Sequence, residues 1–214
     1  MKLGIFDSGI GGKAVEESLV REFPAASILR VDDHENLPYG DKSLEEVRKL
    51  TDIAIQPLLL ARCDIIILAC NTATAAAIEY LRAKYPEQKF IGLEPMIKPA
   101  AALSNTGVVA ICATPATLAS QRYKNLKETF GSKATITEPD CSTWAKMIED
   151  NAINEIIIRK TISGLCKQSV DVIVLACTHY HWIKKVIIDE AGSAMTVLDP
   201  SDAITRRIRT LINS

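Results

Sequence analysis

Residues 64–70 read Asp-Ile-Ile-Ile-Leu-Ala-Cys and residues 171–177 read Asp-Val-Ile-Val-Leu-Ala-Cys, so one pattern recurs half a chain length apart in a sequence of 214 residues. An unbroken β-branched run without polar alternation suits a strand buried on both faces of a parallel sheet. Two such strands, each opening on Asp and closing on Ala-Cys, imply two similar α/β halves. A looser match of residues 3–8 with residues 107–114 points the same way. Halves that face each other would set Cys70 and Cys177 on opposite walls of a shared cleft.

The rest of the chain alternates in the same manner. Strands are predicted over residues 3–6, 27–31, 64–69, 90–93, 107–112, 134–137, 170–176 and 195–198. Helices are predicted over 13–22, 44–62 with a kink at Pro57, 71–85, 114–130, most of 144–167, a stretch after His179, and 202–212. Strands alternating with helices indicate parallel α/β sheets. The expected fold class is therefore α/β, with two pseudo-symmetric domains, each a parallel sheet flanked by helices, and the active site in the cleft between them. The boundary falls within 94–99, where Pro95 and Pro99 lie. Residues 1–93 with 188–214 make the first domain and 94–187 the second.

Composition removes several classes of function. Apolar residues make up 48% and charged residues 24%, ordinary for a soluble globular fold. The formal net charge of −1, with no Lys/Arg run longer than two, offers no surface for a nucleic-acid backbone. No apolar stretch approaches the ~20 residues of a membrane span. The first residues carry no secretory apolar region, so a cytoplasmic protein with reduced thiols is expected.

Six cysteines without a C-x-x-C pair, and only three histidines, make a structural zinc site improbable. Cys70 and Cys177 stand where parallel sheets bind ligands, beyond the carboxyl ends of strands. Each precedes polar residues and a helix start, a setting that lowers a thiol pKa and attracts carboxylates. Two tuned thiols across a cleft suit the removal of a proton from one face of a carbon and its return to the other. Cys63, Cys141 and Cys166 read as structural, and Cys112 as packing near the Thr114 turn. His34 reads as solvated, Asp64 and Asp171 as turn or cap residues, and Arg206, Arg207 and Arg209 as an exposed helix face.

The motifs Asp7-Ser8-Gly9-Ile10-Gly11-Gly12, Pro38-Tyr39-Gly40, Cys70-Asn71-Thr72-Ala73, the Thr114-to-Thr117 turn and Cys177-Thr178-His179-Tyr180 occur in this order. With them the chain resembles the cofactor-independent aspartate/glutamate racemase family over roughly residues 1–200. His179 places it with the glutamate branch, since the aspartate branch usually carries Glu there. The resemblance implies that Cys70 and Cys177 are the two bases, assisted by Asp7 and His179, with Glu149 an acidic residue near the site. It implies that Ser8, Asn71, Thr72, Thr114, Thr117 and Thr178, with Pro38, Tyr39 and Gly40, hold the substrate. It further implies glutamate as substrate, no metal or organic cofactor, D-glutamate supply to peptidoglycan and so to cell shape, no nucleic-acid or membrane partner, and leaves a homodimer open. His181-Trp182 departs from the usual Pro-Leu, and the segment after Cys177 is several dozen residues shorter than in the family.

Other readings remain at this point. An aspartate or other amino-acid racemase, or a silent protein that binds a dicarboxylic amino acid and regulates a partner, would carry similar motifs. Gly9-Ile10-Gly11-Gly12-Lys13-Ala14 also fits a dinucleotide-binding turn, with Asp32-Asp33 placed for a ribose. Against that, Asp7 puts a carboxylate where a pyrophosphate would sit.

Overall fold

The computed structural model describes residues 1–130 and 133–212. The chain divides into two compact units, Met1–Glu94 together with the segment from Pro200 onward, and Pro95–Asp199.

The first unit runs β1 (Lys2–Asp7), α1 (Gly12–Glu22), β2 (Ser27–Asp32), α2 (Leu44–Ala54), α3 (Gln56–Leu60), β3 (Ile65–Leu68), α4 (Asn71–Lys84) and β4 (Lys89–Gly92). The second runs α5 (Ile97–Leu103), β5 (Val108–Ala113), α6 (Pro115–Ala119), α7 (Gln121–Phe130), β6 (Thr135–Thr137), α8 (Trp144–Glu149), α9 (Glu155–Cys166), β7 (Val172–Ala176), α10 (Lys184–Ala191) and β8 (Thr196–Leu198). Helix α11 (Ser201–Ile212) closes the chain and packs in the first unit.

Both sheets have four parallel strands in equivalent order, β2-β1-β3-β4 and β6-β5-β7-β8. The repeated segments are thus the third strands of two like sheets. Alternation along β3 sorts its side chains cleanly. Ile66 and Leu68 enter a core with Val47, Ile55, Leu58, Ala73 and Ile78. Ile65 and Ile67 enter another with Val15, Leu19, Ile204 and Ile208. With helices on both faces the strand needs no polar side, which is why its sequence shows none.

The Asp that opens each repeat ties down a neighbouring backbone segment, the start of β1 for Asp64 and the loop before β5 for Asp171. Asp64 Oδ2 accepts the Lys2 N–H at 2.7 Å. Asp171 accepts from Ser104 Oγ and from the backbone N–H groups of Asn105 and Thr106. Desolvation raises the Asp171 pKa, but the hydrogen bonds from Ser104, Thr106 and Asn105 outweigh it and hold the carboxyl below its ordinary value. A depressed folded pKa means stability that is complete above the unfolded value and lost as pH falls through the folded one. Asp171→Asn should therefore lower the melting temperature near neutral pH, and the gap from wild type should close below about pH 4. A gap that stays constant down to acid would show that the charge contributes nothing.

Several expected elements are differently bounded. Residues 188–199 belong to the second unit, not the first, because β8 pairs with β7 and α10 packs against α9. The single helix expected over 44–62 is two, since Pro57 lacks an N–H and sits in the first turn of α3, where none is needed. The helix expected over 114–130 breaks at Ser120, whose hydroxyl donates to the Thr117 carbonyl and accepts the Tyr123 N–H. Helix α5 occupies part of the expected linker. Its Pro99 falls in the first turn, a position that proline tolerates.

Candidate active-site residues

In the first unit, β1 and β3 are neighbours, so their carboxyl ends bring Asp7 and Ser8 beside Cys70. Cys70 is the N-cap of α4: its sulfur accepts the Ala73 N–H at 3.4 Å and the Ser8 hydroxyl at 3.2 Å. Both hydrogen bonds favour the thiolate over the thiol. Asp7 is fully buried, and its Oδ1 accepts the Gly9 N–H at 2.8 Å. The N–H that would cradle a phosphate in a dinucleotide site is thus taken by a carboxylate. Gly12 is required here, because a Cβ would lie 2.9 Å from Asp7 Cβ and 3.1 Å from Asp32 Oδ1.

Asn71 and Thr72 open α4 and are buried. Neither amide atom of Asn71 has a hydrogen-bond partner among the described residues. A buried amide left so costs about 1–3 kcal/mol, and it suits a ligand that brings both a donor and an acceptor. The Pro38-Tyr39-Gly40 loop is also brought to this end. Tyr39 is buried in one core cluster with Phe6, Cys70 and Ala73. Its hydroxyl donates to Asp33 Oδ2 at 2.7 Å, and Asp33 also accepts from the Asn36 amide. Burial, then the bond to Asp33, pushes the Tyr39 phenol far up, so it stays protonated. Asp33 is therefore an anchor for this loop rather than a ribose ligand. The only sequence signal for it is an Asp six residues before the Tyr.

In the second unit Thr114 follows β5 and Cys177 follows its neighbour β7. Thr114 caps α6, accepting the Thr117 N–H at 3.3 Å and donating to Thr117 Oγ1 at 3.0 Å. Cys177 is followed by a short 3-10 helix, Thr178–Ile183, not by an α-helix start. It gains a side chain instead. His179 Nδ1 lies 3.7 Å from Cys177 Sγ, and His179 Nε2 is bonded to Glu149 Oε1 at the end of α8. The ring is buried at 6% exposure. A carboxylate at Nε2 fixes the proton there and leaves Nδ1 facing the thiol. Carboxylate, imidazole and sulfur thus stand in one line of contacts.

The other cysteines differ. Burial raises the Cys63 pKa, and Cys141 is pushed up by its contact with Cys112 and by burial. Cys166 is exposed. Among the described residues, no three His, Cys, Asp or Glu side chains gather as around a metal ion, and no helix is long and apolar enough to cross a membrane.

The Asp/Glu/Hydantoin racemase family matches this chain over residues 11–208. The chain belongs to that family. This family member is 34% identical to a glutamate racemase of Ectopseudomonas mendocina, over 98% of its own length and 81% of the relative's. Among solved structures it is similar to a glutamate racemase isoform of Bacillus anthracis, with a TM-score of 0.86 and 26% identity over 99% of this chain and 81% of that one. It also resembles the glutamate racemase of Francisella tularensis in complex with D-glutamate, with a TM-score of 0.83 and 26% identity over 99% and 80% of the two chains.

Proposed function

We propose that this chain racemises glutamate, without a cofactor, by a two-thiol mechanism. The observation that carries the reading is the pairing of equivalents. The third strand of each sheet leads into a cysteine just beyond its carboxyl end, and each sulfur has its own polar partner, Ser8 for Cys70 and His179 for Cys177. The glutamate named for its relatives, and bound in the Francisella enzyme, supplies the substrate.

One thiolate takes the α-proton and the other thiol gives a proton to the opposite face of the same carbon; the reverse direction exchanges their roles. Ser8 and the Ala73 N–H hold charge on Cys70. For Cys177 the partner moves a proton: His179 Nδ1 accepts from the thiol and returns it, while Glu149 stabilises the ring in either state. Asn71, with Thr72 and Ser8, would meet the substrate's ammonium and carboxylate groups on the first side, and Thr114, Thr117 and Thr178 a carboxylate on the second. An α-proton is far less acidic than a thiol, so these donors must also stabilise the developing carbanion. The reading extends to a cytoplasmic homodimer that supplies D-glutamate to peptidoglycan.

The test is circular dichroism of L-glutamate, and separately of L-aspartate, incubated with the protein. Loss of signal with glutamate and not with aspartate is expected. Loss with aspartate alone would move the chain to another substrate, and measurable binding without turnover would make it a silent binder. Glu149→Gln should reduce kcat by roughly 10²-fold while KM changes little, because it acts on the ring and not on the substrate. A loss confined to KM would remove Glu149 from the proton path.

A further inference from the structure

The turn Thr178–Ile183 ends on residues that the proton chemistry does not use. His181 and Trp182 are the two positions at which it departs from the family's usual Pro-Leu. A proline would fix the backbone there through its ring, whereas a histidine leaves it free. In this chain the side chain holds the position. His181 Nδ1 lies 3.6 Å from Asp199 Oδ2, and Lys184 Nζ reaches the same oxygen at 3.1 Å. The Lys184 N–H also donates to the His181 carbonyl, so two residues joined by one backbone hydrogen bond converge on one carboxylate.

The sheet puts that carboxylate in place. β8 pairs with β7 as far as Leu198 opposite Val174, so Asp199 is the first residue past the ladder, at the end of the sheet where Cys177 stands. Its side chain is 11% exposed, and ion pairs withdrawn from water are screened less than surface ones. Lys184 opens α10, where the helix dipole disfavours a cation, and Asp199 offsets that charge. His181 Nδ1 is buried and has no hydrogen-bond partner among the described residues. The charged ring and the neutral Nδ1–H tautomer both carry a donor there, and a small shift closes the gap to Asp199.

We propose that Asp199 is a positioning residue for proton transfer at Cys177: by holding His181 and Lys184 it fixes the turn that carries His179. Two residues before His181 on that turn, His179 has its Nδ1 3.7 Å from the Cys177 sulfur and its Nε2 on Glu149. Helix α8 holds the front of the turn, through Glu149 on His179 and Trp144 on Tyr180. Asp199 holds its end. At 3.7 Å the contact with sulfur has little slack, and a misplacement of about 1 Å in a reacting group costs roughly 10²-fold in rate. The inference rests on the reading of His179 as the partner that takes the thiol's proton.

The experiment is proton NMR of the full chain, beside initial rates with glutamate. An imidazole N–H held by a carboxylate exchanges slowly and resonates at low field. The chain has three histidines, of which His34 is exposed, and the His179 proton is recognised by its loss in Glu149→Gln. Asp199→Asn should broaden that resonance into the solvent signal and reduce kcat by about 10-fold, with KM changed by less than about 2-fold. A residue that only supports the fold would lower the melting temperature and leave the resonance of the folded protein in place. Should Asp199→Asn not fold, His181→Gln carries the same test with the same expected loss. A His179 resonance unmoved in both variants, or absent from the wild type, would overturn the proposal, as would its loss with kcat undiminished. If the wild type does not racemise glutamate, the reading of function fails, and the resonance alone decides the role of Asp199.

Discussion

Cys70→Ala and Cys177→Ala are each expected to lower racemisation of glutamate by roughly 10²–10⁴-fold, the range that positioned acid–base groups supply. The double variant should be scarcely slower than either single one, since two bases that share one proton transfer fail together. The two changes should differ in stability. Cys70 caps α4 through the Ala73 N–H, so its loss should cost about 1 kcal/mol. Cys177 caps nothing by its side chain, and its replacement should be milder. Initial rates from both enantiomers, with thermal melts beside them, decide the matter. Undiminished turnover in either single variant would remove that thiol from the chemistry.

The second large effect is expected at Trp144. Its side chain is 0% exposed and stands edge-on to Tyr180 with ring centroids 5.2 Å apart. Tyr180 follows His179 directly, so this contact sets the 3-10 turn that holds the imidazole against Cys177. Trp144→Ala should cost about 3–5 kcal/mol, lower the melting temperature by roughly 10 °C or more, and reduce activity at temperatures where the variant is folded. Trp144→Phe should cost much less, because the indole N–H has no hydrogen-bond partner among the described residues and its removal forfeits nothing polar. Trp182→Ala is the control. That ring is 36% exposed, and its loss should shift stability by no more than about 0.5 kcal/mol. Equal melts for Trp144→Ala and Trp182→Ala would refute the role given to Trp144.

The two cysteines and the strands that lead into them were legible because a strand buried on both faces announces itself by composition alone. The presence of the remaining strands along the chain followed from the α/β alternation, whereas their order in the two sheets came only from the structure. What escaped was set by contacts distant in sequence or by single residues. The second unit keeps β8 because of its ladder with β7, a pairing that no local pattern encodes. The break at Ser120 depends on one hydroxyl serving two turns. The two cysteines looked alike in sequence, each followed by polar residues, yet Cys70 starts a 14-residue helix and Cys177 a 3-10 turn with a histidine. Asp33 was hidden for a similar reason: its partner Tyr39 is reached only through the fold of the loop between them.

The central claim is that two thiols serve opposite faces of one carbon. It is tested most directly by the isotope content of both enantiomers early in a reaction run in D2O. Starting from L-glutamate, the account predicts D-glutamate that carries deuterium at Cα from the first turnovers, while the remaining L-glutamate keeps its proton. Deuterium that enters both enantiomers at equal early rates would mean that one base serves both faces, and would contradict the account.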